Sequence, residues 1–139
     1  MRTGIVILLA LCLSAASGQT VTPQSNKYEV AGIDDPRAVA DFLRSLQQAV
    51  AKNERAKVAA MVNYPVSMII RGRKLKLRNQ ADFLRRYDVA INHKVKQAIA
   101  DQKPDDLFVN YQGVMIGDGE IWFGHPYQSK QIKVIAINN

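Results

Sequence analysis

The residues best suited to proton transfer are two histidines, since histidine changes its charge near neutral pH. His125 stands in a Gly-His-Pro-Tyr segment with the composition of a loop, where it could reach the mouth of a pocket. His93 stands beside Asn92 and Lys94 at the start of a helical pattern, which favours a capping or surface role. Two histidines so far apart, with no cysteine near either, predict no metal site. We therefore expect no metal ion and no cofactor.

Asp88 is the carboxylate best placed to act as a general base, because its helical segment could face the inside of the fold. The helical period, however, puts Phe83, Leu84 and Tyr87 on the buried face and leaves Asp88 near its edge. This position favours an exposed ion pair with Arg85 or another neighbouring cation instead.

A set of aromatic, amide and imidazole side chains could supply the polar contacts of a ligand pocket. A hydroxyl or an indole N–H at the end of an apolar side chain can orient a bound molecule. Core packing with a hydrogen-bonded polar tip explains the same residue types, and the sequence leaves both interpretations open. The candidate ligand-binding residues are Tyr64, Asn110, Tyr111, Trp122, His125 and Tyr127.

Cations concentrate in one predicted hairpin, and we call them the basic patch: Arg71, Arg73, Lys74, Lys76 and Arg78. Such a patch could bind phosphates or a polyanion. Lysine on an exposed edge strand also blocks edge-to-edge aggregation, which is a structural reason for the same cluster. Nucleic acid is a disfavoured partner, because the chain begins with an export signal and no exposed aromatic residues alternate with the cations.

Residues 1–18 are typical of a signal peptide that is cleaved near Ala16–Gly18. Arg2 supplies the positive charge, residues 5–13 form an uninterrupted apolar run, and small residues follow. Nine apolar residues rise only about 14 Å as a helix, against a hydrocarbon core of about 30 Å, so we expect no transmembrane anchor. Leu11 precedes Cys12 where a lipoprotein needs a small residue, which disfavours a lipid anchor.

Removal of this segment would leave a chain without cysteine, since Cys12 is the only one. A small secreted domain without disulfides is more typical of the bacterial periplasm than of animal secretion. The formal charge of +7 falls to +6 when Arg2 is removed. This excess favours anionic partners such as lipid headgroups, cell-wall polymers or acidic proteins, although it also serves solubility alone.

The rest of the chain divides into a leader and one α+β domain. Residues 19–35 are polar and irregular, and they predict a flexible leader that ends in a helix cap at Asp34 or Asp35. Residues 36–139 form the domain. Its first part predicts helices over 36–52 and 54–62, a hairpin of strands 66–71 and 74–78, and two helices beginning at Asn79 and near Val95.

The last third of the chain predicts three strands. The first covers 107–116 with a bulge at Gln112-Gly113, and a hairpin at Asp118-Gly119 leads to the second over 120–123. The third, over 132–137, is apolar on both faces, which indicates a central place in the sheet. The predicted order is α-α-β-β-α-α-β-β-β, with helices packed on one face of a curved antiparallel sheet.

This order resembles the NTF2-like superfamily, also called cystatin-like or SnoaL-like. The resemblance covers about residues 36–139 and rests on helix 38–52, the junction Val62-Asn63-Tyr64-Pro65-Val66 and the closing run 113–123. It implies a cone in which N-terminal helices close over a bent sheet, a pocket on the concave side, and a homodimer. The superfamily contains isomerases, cyclases and dehydratases beside non-enzymatic binding modules, so it constrains function little, and no catalytic residue carries over.

Three functions are consistent with these patterns. The favoured one is a non-catalytic periplasmic binding or interaction module, with a pocket in the concave sheet and a basic hairpin. Its ligand would be a small molecule, an anionic envelope component or a partner protein. The first alternative is an isomerase- or hydratase-type enzyme that uses Asp88 or His125 as the proton carrier beside Tyr64 or Tyr111. The second is an envelope inhibitor or immunity protein that blocks a secreted enzyme.

Overall fold

The computed structural model describes residues 25–139, so the predicted signal peptide and the start of the leader lie outside the described residues. A short 3-10 helix at Lys27–Ala31 comes first. The α-helices are α1 (Pro36–Ala51), α2 (Arg55–Ala60), α3 (Gln80–Arg85), α4 (Tyr87–Ala90) and α5 (His93–Asp101). The strands are β1 (Val62–Ile70), β2 (Arg73–Leu77), β3 (Phe108–Asn110), β4 (Gly113–Ile116), β5 (Ile121–Gly124) and β6 (Lys133–Asn138). The α+β class is therefore confirmed.

Three of the α-helices begin where a short polar side chain accepts a hydrogen bond from a free backbone N–H group. Asp35 caps α1 and is followed by Pro36, whose fixed φ suits the first helical position. Asn79 caps α3, and Asn92 caps α5. The predicted caps of α1 and α3 are confirmed.

The six strands form one open sheet in the order β2-β1-β6-β5-β4-β3. β6 lies between β1 and β5, which confirms the central place predicted from its two apolar faces. It pairs antiparallel with β5 but parallel with β1. The prediction of a purely antiparallel sheet is therefore wrong. The sheet is mixed because β6 lies between two antiparallel units, β1–β2 and β3–β5. It runs antiparallel to its chain neighbour β5, and in that direction it is parallel to β1.

The predicted order of elements is wrong in two places. The third predicted helix is interrupted at Arg86, where φ is −113°, and becomes α3 and α4. The bulge predicted at Gln112-Gly113 is instead a hairpin turn, since Asn110 and Gly113 are paired across it. The Asn110 side-chain oxygen accepts from the Gln112 N–H at 2.8 Å, and this bond stabilises the turn. One predicted strand is thus two, β3 and β4.

The described part of the predicted leader is folded. Tyr28 is 7 % exposed and Ile33 is 1 % exposed, because both pack on the hydrophobic core. The Lys27 ammonium donates to the carbonyl oxygens of Asp105 and Leu107, each at 3.1 Å. Residues at the end of the predicted flexible leader therefore belong to the folded domain.

The two faces of the sheet differ, because side chains alternate along each strand while directly paired residues share a face. The inner face packs against the helices, and one row across it consists of Leu75, Met68, Ile137, Ile121 and Ile116. The outer face lies opposite. The adjacent row there consists of Lys76, Ser67, Ala136, Trp122, Met115 and Phe108.

Candidate functional site

A cleft of about 580 Å³ lies between α1, α2 and the loop that joins β5 to β6, and we call it the α1–α2 cleft. It brings together helix residues and loop residues that are far apart in sequence. Its lining consists of Ala38, Asp41, Phe42, Ser45, Lys57, Ala60, Met61, His125, Lys130, Gln131, Ile132 and Lys133.

The floor of the α1–α2 cleft is apolar. Phe42 stands at the edge of the buried stripe of α1, so its ring is half-buried and partly faces the cleft. The ring stacks on Phe123 of β5, with centroids 4.9 Å apart and an angle of 29° between the planes. Met61 and Ile132 also pack against the core from this side. Helix and sheet packing therefore hold the floor in place.

The rim of the cleft is cationic. Lys133 donates to the Ala60 carbonyl oxygen at 2.7 Å, at the end of α2. The Lys57 ammonium lies 3.3 Å from a Glu54 carboxylate oxygen. Lys130 is exposed and forms no ion pair within residues 25–139. Asp41 is the carboxylate among the lining residues, and Arg44 binds it at 3.1 Å. The charge facing a ligand is consequently positive.

His125 lines this cleft, and the folded leader orients it. Its Nδ1 lies 3.1 Å from the carbonyl oxygen of Gly32. A carbonyl oxygen can only accept, so Nδ1 carries the hydrogen and Nε2 of the neutral ring is an acceptor. Gly32 has φ +71°, a left-handed conformation that favours glycine, at the end of the 3-10 helix. The segment predicted as flexible thus positions the histidine.

Asp88 occupies a different part of the surface and does not line the cleft. Its two carboxylate oxygens accept from the Arg55 guanidinium at 2.8 and 2.9 Å. The predicted ion pair is confirmed, although its partner comes from α2, and Arg85 binds Asp82 instead. The Arg55 guanidinium also lies over the Tyr87 ring, 4.8 Å from its centroid. Asp88 and His125, the two predicted proton carriers, therefore do not share this site.

Tyr64 belongs to the core. Its hydroxyl donates to the Ala59 carbonyl oxygen at 2.8 Å, and its ring meets Phe83 edge-on at 6.3 Å between centroids. Burial raises the pKa of Tyr64 to about 12. Of the two interpretations that the sequence left open, Tyr64 therefore agrees with core packing, in which the polar tip of the side chain is hydrogen-bonded inside the protein.

The other ligand-binding candidates are dispersed. Trp122 lies on the outer face, where Phe108 packs edge-on against it at 6.4 Å between centroids. Asn110 stabilises the β3–β4 turn, and Tyr111 in that turn is 81 % exposed. Tyr127, in the β5–β6 loop, is 91 % exposed. Of the six candidates, His125 alone is among the residues that line the α1–α2 cleft.

The basic patch lies at one edge of the sheet, since β2 is an edge strand. All five side chains are exposed, and none forms an ion pair with another described residue. Lys74 and Lys76 project from the outer face, while Leu75 and Leu77 turn inward as predicted. The position of these lysines on an edge strand agrees with a role in preventing edge-to-edge aggregation. Their charge is also available to a binding partner.

Sequence reasoning missed most of the α1–α2 cleft. Phe42 and Met61 fall within the predicted helices 36–52 and 54–62, and no sequence pattern assigns them, Lys130 or Lys133 to a site. One sequence feature could have indicated the cleft. In the run from Lys130 to Lys133, two cations flank Ile132, and this run follows the loop that carries His125. His93, by contrast, is exposed at the first turn of α5, which agrees with its predicted surface role.

Three further findings bear on function. Within residues 25–139, no three histidine, cysteine or acidic side chains lie together as a group that could hold a metal ion. The same residues contain no helix with both the length and the apolar character that a membrane span requires. Comparison of the chain with protein-family models, with curated proteins and with solved structures gives no significant match.

Proposed function

We propose that this protein is a binding module without catalytic activity, and that the α1–α2 cleft holds a small amphipathic molecule with an anionic end. The observation that carries the proposal is the apolar floor of Phe42, Met61 and Ile132 beneath a lysine rim. Its volume, about 580 Å³, falls within the range of about 300–1,000 Å³ that is usual for ligand pockets.

The lysine rim favours an anion held loosely at the mouth of the cleft. An ammonium is a flexible point charge with three donors, which suits a carboxylate, sulfonate or phosphate end group. The apolar body of the ligand would lie on the Phe42 ring. His125 can add a hydrogen bond through Nε2.

The contacts of His125 and Asp41 support a non-catalytic role. In a catalytic triad, a carboxylate holds the histidine and stabilises the imidazolium that forms. Here His125 bonds to a carbonyl oxygen, and Asp41 is bound by Arg44. No observation favours the isomerase-type enzyme or the inhibitor, and both stay hypotheses.

The wider setting is part of the same proposal. Residues 1–18 support export to the bacterial periplasm. The succession of helices, hairpin, helices and strands, with the helices on one face, supports an NTF2-like cone. In such a cone the cleft would be the opening beside the N-terminal helices.

A fluorescence titration with 1-anilinonaphthalene-8-sulfonate tests the cleft, because this probe combines an aromatic body with one anionic group. We expect saturable binding that dodecanoate displaces. Ala60→Phe, which fills the cleft, should weaken binding about tenfold or more. Ala81→Phe is the matched control, since Ala81 is an exposed alanine on α3. Equal affinity of the Ala60→Phe variant and the wild type, or turnover of any substrate, would contradict the proposal.

A further inference from the structure

The acidic residues of this chain avoid its sheet. All twelve lie in helices, turns or loops, and none of the six strands contains one. The strands do contain cations, and Lys74 and Lys76 project from the outer face. That face therefore presents positive charge with no carboxylate among its strand residues.

Apolar and aromatic side chains share the outer face with these lysines. Phe108 is 52 % exposed and Ile69 is 42 % exposed. Trp122 on β5 and Met115 on β4 lie between Ile69 on β1 and Phe108 on the edge strand β3, and both are partly buried. The helices pack on the other side of the sheet, so the described part of the chain leaves this apolar surface uncovered.

The spacing of the two kinds of side chain restricts the partner. Lys76 and Trp122 belong to one row and are three strands apart, which is about 14 Å at the usual strand spacing. A compact anion bound at Lys76 does not contact Trp122. In a symmetric dimer a second copy would present the same face, and the strand residues of that face offer no carboxylate to the lysines. The partner needs an extended anionic surface with apolar material directly beside it.

We propose that the outer face docks on the surface of a bilayer that contains anionic lipids. Lys74 and Lys76 lie at the headgroup phosphates, and Phe108 and Trp122 lie at the boundary with the acyl chains. Aromatic side chains favour that boundary, and lysines near an anionic membrane surface add attraction. The α1–α2 cleft belongs to the opposite, helical side, so docking does not depend on the function proposed for it.

Trp122 makes the proposal directly testable, because it is the only tryptophan of the chain and lies on the outer face. The full-chain protein is titrated with vesicles of phosphatidylcholine and phosphatidylglycerol in equal parts, and with vesicles of phosphatidylcholine alone. We expect binding to the anionic vesicles, a blue shift of Trp122 emission, and quenching by lipids brominated on their acyl chains. Sedimentation without these changes in Trp122 would mean that another segment binds, and it would overturn the proposal.

A charge-matched pair of variants separates the outer face from net charge. Lys74→Gln with Lys76→Gln should lower partition to the anionic vesicles about 30-fold, from about 1 kcal/mol for each cation. Lys52→Gln with Lys103→Gln removes the same charge at exposed positions outside the sheet, and it should lower partition much less. Equal losses in the two variants would overturn the proposal.

Two other outcomes would also overturn it. One is a dimer that shifts Trp122 emission without lipid, which would assign the outer face to a second copy. The other is binding of a soluble polyglutamate, without vesicle binding, that the Lys74→Gln/Lys76→Gln variant loses. That result would assign the face to an acidic peptide. Circular dichroism of each variant confirms that a loss of binding is not a loss of fold.

Discussion

The two faces of the sheet are built from alternate residues of the same strands, yet they differ in burial and composition. In β1, Met68 is fully buried, while its neighbour Ile69 is 42 % exposed. The inner row is apolar throughout, and the outer row mixes lysine and serine with alanine, methionine and aromatic residues. The composition of a strand therefore says little about function until the face of each residue is known.

Among the buried residues that the structure describes, one is charged. Glu120, in the turn between β4 and β5, is 5 % exposed. Burial raises the pKa of its carboxyl group, but hydrogen bonds from Lys94 and from the N–H groups of Glu120 and Asp118 outweigh it, so the pKa is lowered overall. Gly117 accommodates this carboxylate, because a Cβ atom at that position would collide with it. An acid is tolerated beside the core only where it is fully bonded.

The largest expected difference between the faces is in the cost of removing a phenyl ring. Phe123→Ala on the inner face should lower the free energy of unfolding by about 3–5 kcal/mol, because it empties a fully buried site beneath Phe42. Phe108→Ala on the outer face should cost about 1 kcal/mol or less. Urea unfolding followed by circular dichroism measures both. Similar costs would mean that the outer face is packed against something.

An intermediate effect is expected for the buried carboxylate. Glu120→Gln should cost about 1–3 kcal/mol at neutral pH, since it weakens charge-assisted hydrogen bonds from Lys94 and the turn. The folded-state pKa of Glu120 is lowered. Its stabilising contribution is therefore present above the unfolded pKa of about 4.3 and is lost as the pH falls through the folded pKa.

The measurement is the unfolding midpoint in urea at a series of pH values. The gap between wild type and Glu120→Gln should narrow as the pH falls below about 4.3 and close below the lowered folded pKa. Glu29→Gln, at an exposed position, is the control and should show no such gap. A gap that stays constant down to the most acidic pH would refute the assigned role of the carboxylate.

The smallest effect should come from the lysines of β2. Lys74→Gln with Lys76→Gln should change the free energy of unfolding by less than about 0.5 kcal/mol, because both side chains are exposed and unpaired within the described residues. The test is thermal unfolding in the absence of lipid. A larger loss would show that these cations support the fold, and it would weaken the contrast between the faces.

Local patterns predicted the parts of the fold that depend on neighbouring residues. The caps Asp35 and Asn79, the inward leucines of β2 and the hairpin at Asp118-Gly119 all follow from short-range chemistry. The β3–β4 turn was also locally encoded, because Asn110 can bond to the backbone two residues on, but Gly113 suggested a bulge instead.

The rest depends on contacts that no local pattern contains. The parallel pairing of β1 and β6 joins residues about seventy positions apart. The burial of Tyr28 and Ile33 needs a core surface made by later elements. The α1–α2 cleft likewise exists only where two helices and a distant loop meet, so its lysines and Phe42 could not be grouped from the sequence.

The central position of β6 also constrains the time at which the protein can fold. The β1–β2 hairpin and the β3–β5 meander have no strand pairing with each other except through residues 133–138. During synthesis, these two parts of the sheet cannot be joined before β6, the last of the six strands in chain order, has been made. Closure of the sheet is then a long-range step, which slows folding relative to local pairing. The sheet is therefore incomplete until β6 is available for pairing with both β1 and β5.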